Sequence, residues 1–92
     1  MTIKGFIQSA DLLQDPADEN KVMLLARVQG VGQGQPRKIL IPFELLVQQE
    51  DLDPDNMMGR AFLAHYDEVI QATAIINSIE VGPGRVLRKP EG

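Results

Sequence analysis

Apolar and polar residues alternate most clearly over Lys21–Gln29, where Val22, Leu24, Ala26 and Val28 point one way and Lys21, Met23, Leu25, Arg27 and Gln29 the other. This is the pattern of a β-strand. Met23 and Leu25 make the second side mixed, so the strand is expected to be covered on both sides over part of its length. Thr2–Gln8, rich in β-branched and aromatic residues, predicts an earlier strand, with Gly5 at an interior position that marks a bulge or a sharp bend. Between the two, Gln14–Asn20 carries Asp15-Pro16 and then Ala-Asp-Glu-Asn, the turn formers and charges of an exposed loop. Gly30, Gly32, Gly34 and Pro36 make a flexible connection to a third strand, Arg37–Ile41, which Pro42 closes.

Phe43–Met58 changes character. Leu45, Leu46, Val47 and Leu52 are interleaved with Glu44, Gln48, Gln49, Glu50 and Asp51, which suits one or two short helical turns. Pro42 can open one turn at its first helical position, and Asp53-Pro54 can cap and open another that ends at Gly59. Strand character returns at Arg60–Asp67, with Phe62, Ala64 and Tyr66 on one side and Ala61, Leu63 and His65 on the other. It returns again at Thr73–Val81, read as Ile75, Asn77, Ile79 and Val81 alternating against Ala74, Ile76, Ser78 and Glu80. Gly82-Pro83-Gly84 ends the last strand, and residues 85–92 read as a flexible basic tail.

Three strands, a short helical segment and two further strands predict a mostly β fold: a small five-stranded OB-like barrel, with the helical segment between strands 3 and 4. It forms one domain over residues 1–84. Gly5 in the first strand, Asp15-Pro16, the Leu24-Leu25-Ala26-Arg27-Val28 stretch and Gly59-Arg60 make the chain resemble bacterial single-strand DNA-binding domains. That resemblance implies bases stacking on strand aromatics, and the chain departs from it in having no tryptophan. Ile41-Pro42-Phe43 with Val47–Leu52 also resembles PRC-type barrels, a likeness that implies strand or loop over residues 43–47.

A chain of 92 residues supports one hydrophobic core. With no cysteine it has no disulfide, thiolate nucleophile or sulfur-ligated zinc. Met1–Phe6 lacks the charge-then-apolar pattern of a leader, and no apolar run approaches membrane-spanning length, so a cytoplasmic protein with no membrane contact is expected. The net charge of −4 opposes a phosphate backbone overall, but acids gather in Asp11–Glu19 and Glu44–Asp55 while Arg37 with Lys38, and Arg85, Arg88 and Lys89, form basic groups elsewhere.

The residues that usually carry catalysis are sparse. Gly30, Gly32 and Gly34 are followed by a strand and lack the lysine and hydroxyl residue of a phosphate loop, so they read as a flexible hairpin. His65 is the one histidine, with only Asp67 near it on its strand, and reads as a structural or surface residue. Ser9 and Ser78 lack a nucleophile-elbow setting. Glu50, Asp51, Asp53 and Asp55 lack the glycine and the final glutamate of a calcium loop and read as a solvated acidic surface.

No enzyme, cofactor or metal site is therefore expected. The expected function is a non-enzymatic binding module, a protein-interaction domain or small accessory subunit, whose partner is another protein or a second copy. The alternative is an OB-type single-stranded nucleic-acid binder using Arg27, Arg37, Lys38, Arg60, Phe62 and Tyr66. It depends on Phe62 and Tyr66 being exposed, whereas large rings in a chain this short more often pack the core.

Overall fold

The computed structural model describes residues 1–48, 57–82 and 85–88. The expected helical turn at Asp53-Pro54 and the acidic group of Glu50, Asp51, Asp53 and Asp55 lie outside them. Six strands and one helical turn follow in the order β1 (Thr2–Asp15), β2 (Asp18–Gln29), β3 (Lys38–Ile41), α1 (Phe43–Leu46), β4 (Ala61–Ile70), β5 (Thr73–Val81) and β6 (Arg85–Arg88). The fold is mostly β.

Five of the strands close a ring of hydrogen bonds: β1 pairs with β2 and β4, β2 with β3, β4 with β5, and β5 closes onto β3. The closing pair, Lys38–Leu40 on Thr73–Ile75, is parallel, and the other pairs are antiparallel. Closure pairs edges that would otherwise be open to another chain. Arg85–Arg88, expected within a loose tail, pairs with Ser78–Val81 at the end of β5 that β3 does not reach.

The ring encloses an apolar core of Ile3, Ile7, Leu24, Ala26, Val28, Ile39, Ile41, Phe62, Ala64, Tyr66, Ala74, Ile76, Ile79 and Val81, and no polar side chain is buried among the described residues. Each large aliphatic removed from water contributes about 1.5–3 kcal/mol. α1 adds Leu45 and Leu46, and Met57 lies in the same core. Pro42 is the N-cap of α1 and not its first helical residue, so the proline closes β3 and opens the turn from just outside it. The helical turn also sets aside the strand or loop implied by the PRC likeness.

Two expectations of register change. The loop expected over Gln14–Asn20 is a tight hairpin: β1 runs on to Asp15, Asp15 pairs with Asp18, and the Asp15 carboxylate accepts a 2.8 Å bond from the Ala17 amide. In β5 the buried residues are Ala74 and Ile76, then Ile79 and Val81, so Ile75 faces outward. A bulge flips the alternation, because Asn77 has no partner between the His65–Ser78 and Tyr66–Ile76 pairs, and Asp67 is skipped on β4. The two unpaired residues bond to each other, Asn77 Nδ2 donating to Asp67 Oδ2 at 2.6 Å.

Candidate binding face

Residues directly opposite each other across a ladder share one face of the sheet. Because Leu24 and Ala26 point into the ring, their neighbours Met23, Leu25 and Arg27 point out, and the register then fixes the outward rows. One row is Ser9, Arg27, Lys38 and Thr73. The next is Asp11, Leu25, Leu40, Ile75 and Glu68, and a third pairs Leu13 with Met23. Leu25, Leu40, Ile75 and Met23 are half-buried and Leu13 is exposed. An apolar band thus crosses the outside of the sheet, edged by carboxylates at each end and by cations along one flank.

The cations open onto a groove of about 570 Å³, walled by Arg27, Arg37 and Lys38, by Gln8 and Gln29, and by the start of the glycine loop at Gly30–Gly32. No carboxylate is among the described residues lining it. Two features of the loop place Arg37 there. Val28 N–H donates to Arg37 O at 2.9 Å, extending the β2–β3 ladder by one bond, and Gly30 and Gly34 take φ of 74° and 81°, which lets the chain reverse. The Tyr66 hydroxyl anchors the loop from below, donating to Gln35 Oε1 at 3.3 Å.

Of the six side chains proposed from sequence, the fold brings Arg27, Arg37 and Lys38 together and takes the other three away. Phe62 and Tyr66 are 4% and 3% exposed, so their rings belong to the core and cannot stack on a ligand. The physical reason is the ring itself: both face inward with Ala64 on β4, opposite Val81 and Ile76 of β5. Arg60 is half-buried at the entry to β4, and its Nη1 donates to Gly82 O at 3.4 Å, so it ties two backbone segments together.

Phe6, absent from that set, is 49% exposed on the outward face opposite Gln29, and its ring lies against Gly30 at the groove's edge. Leu13, Leu40 and Ile75 were also absent from it. For Met23 and Leu25 a signal existed, the apolar residues on the second side of β2. For Ile75 none did, because its orientation depends on the bulge.

His65 Nδ1 lies 3.1 Å from Thr2 Oγ1, and Asp67 is bonded to Asn77 and not to the imidazole. Ser78 is the cross-strand neighbour of His65. Among the described residues no group of three or more His, Cys, Asp or Glu side chains is placed to hold a metal ion, and no helix is long and apolar enough to cross a membrane. Comparison with protein-family models, with curated proteins and with solved structures returns no match to this chain. The local likenesses to single-strand DNA-binding domains and PRC-type barrels therefore rest on the quoted residues alone.

Proposed function

We propose that this chain is a non-enzymatic protein-interaction module built on an OB-type fold, and that it docks its partner on the outward face of β1, β2 and β3. The OB assignment is supported by the ring order, by the parallel closure of β3 onto β5 and by the helical turn between the third and fourth strands. The observation that carries the functional reading is the apolar band of Leu13, Met23, Leu25, Leu40 and Ile75 on the solvent side of a sheet whose other side already holds a complete core. A contiguous apolar band rimmed by charges is the composition of an interface centre and its rim.

The test is site-specific photo-cross-linking in cells, with a photoreactive phenylalanine analogue at Leu25 and, as control, at the exposed His65. Cross-links to a polypeptide from position 25 alone support the reading. Cross-links to nucleic acid only, or none from position 25, overturn it.

A second reading, single-stranded nucleic acid in the groove at the flank of this face, is favoured by the cluster of Arg27, Arg37 and Lys38 beside Phe6, with no carboxylate among the described lining residues. It ranks lower because Phe62 and Tyr66 are buried and a single exposed ring is left to stack. Fluorescence anisotropy with a labelled mixed-sequence oligonucleotide separates the two. Nucleic-acid binding would be saturable at low salt and fall steeply with added salt, as each neutralised phosphate releases counterions.

A further inference from the structure

We propose that the partner on this face is a second copy of the chain, related by a two-fold axis, with the acidic end of each β1–β2 hairpin set against the basic groove of the other. This rests on the protein-interaction reading and names its occupant.

The hairpin itself calls for a cover. β4 pairs with β1 only over Thr2–Phe6, and β3 with β2 only over Leu24–Arg27. From the Leu13–Met23 pair outward, the hairpin has no third strand on either edge among the described residues. A two-stranded ribbon is marginal in water on its own. Yet this one carries apolar side chains on both faces, Leu12 and Val22 on the core side and Leu13 on the other, at 50%, 36% and 41% exposure.

The distribution of charge selects a second copy. Along the outward side of β2, Arg27 lies four residues from Met23, about 13 Å at the rise of a strand, and beyond Val22 the β1–β2 register shifts before the hairpin tip, where Glu19 lies. Asp15 and Asp18 stand beside Glu19 at one end, and Arg37 and Lys38 beside Arg27 at the other. A surface that runs from acid through apolar to base is complementary to itself when turned end for end. A two-fold axis crossing near Met23 packs Leu13, Met23 and Leu25 of the two copies at the centre and turns the acidic hairpin tip of each, with Asp15, Asp18 and Glu19, toward the Arg27 end of the other. A polyanion complements the basic end alone.

Sedimentation equilibrium of the full chain tests this. Wild type is expected to populate a dimer below about 100 μM, and Glu19→Lys and Arg27→Glu are each expected to weaken it by about tenfold or more. The double variant Glu19→Lys/Arg27→Glu swaps the charges and is expected to return to within about threefold of wild type, with circular dichroism melts confirming that every variant is folded. A heterologous partner or nucleic acid would not restore binding to the swap. Wild type that stays monomeric at about 100 μM overturns the proposal. So does a dimer indifferent to either single reversal, or a swap that fails to recover. A monomeric wild type that still cross-links from position 25 to another polypeptide overturns the second copy and leaves the protein-interaction reading standing.

Discussion

At Tyr66, one side chain does two jobs that substitution can separate. Its ring is 3% exposed in the core and its hydroxyl, half out of that core, holds Gln35 of the glycine loop at 3.3 Å. Tyr66→Ala should cost about 3–5 kcal/mol in urea denaturation, because a large cavity opens. Tyr66→Phe should cost about 0.5–1.5 kcal/mol, the net worth of one hydrogen bond. Near-equal losses would show that the ring is not packed as described. Gly5 presents the opposite case, a missing side chain. A Cβ there would collide with the Gln29 carbonyl oxygen across the β1–β2 approach, so Gly5→Ala should destabilise by about 1–3 kcal/mol by the same measurement. The glycine was legible in the sequence as a special backbone position. Its reason was not, because Gln29 lies 24 residues away in the chain and only the ladder brings it near.

The hairpins hold the features that local sequence describes least well. β4 and β5 are joined by Gln71 and Ala72 alone, at φ of 50° and 61°, a two-residue turn that prefers asparagine and glycine. Gln71→Asn with Ala72→Gly should therefore stabilise the fold by about 1 kcal/mol, seen as a rise of about 4–8 °C in Tm; an unchanged or lower Tm would argue against the left-handed turn. Neither residue announces a turn, so the sequence left this link unmarked: it bounded β5 correctly but ended the strand before it at Asp67, whereas β4 runs on to Ile70. The opposite happened at Asp15-Pro16, where strong turn formers over Gln14–Asn20 predicted a broader loop than the two-residue connection that forms. The bulge at Asn77 and Asp67 is a third instance. Alternation read along β5 alone cannot reveal that an extra residue has been inserted, since the skip is defined only against β4. It turned Ile75 from an expected companion of Ile79 and Val81 into part of the outward band.

Across the whole molecule, a net charge of −4 coexists with a groove that holds three cations and no carboxylate among its described lining residues. If the groove serves a protein partner, the wild-type chain should show no saturable anisotropy change with single-stranded oligonucleotide at physiological salt up to tens of micromolar protein. Saturable binding that Arg27→Glu abolishes would instead give the groove to nucleic acid. By itself the sequence determined the β class, the approximate position of each ring strand, the helical turn after Pro42 and which side chains of β2 and β4 share a side. Each of these follows from short-range alternation and turn chemistry, which act within a few residues. Only the tertiary structure decided that Phe62 and Tyr66 are core while Phe6 is surface. All three are aromatic residues in strands, and which side of a strand faces inward is set by ring closure and not by composition. It also decided that Arg27, Arg37 and Lys38 share a groove from which Arg60 is withdrawn, because cross-strand register brings the first three together and a backbone carbonyl holds the fourth.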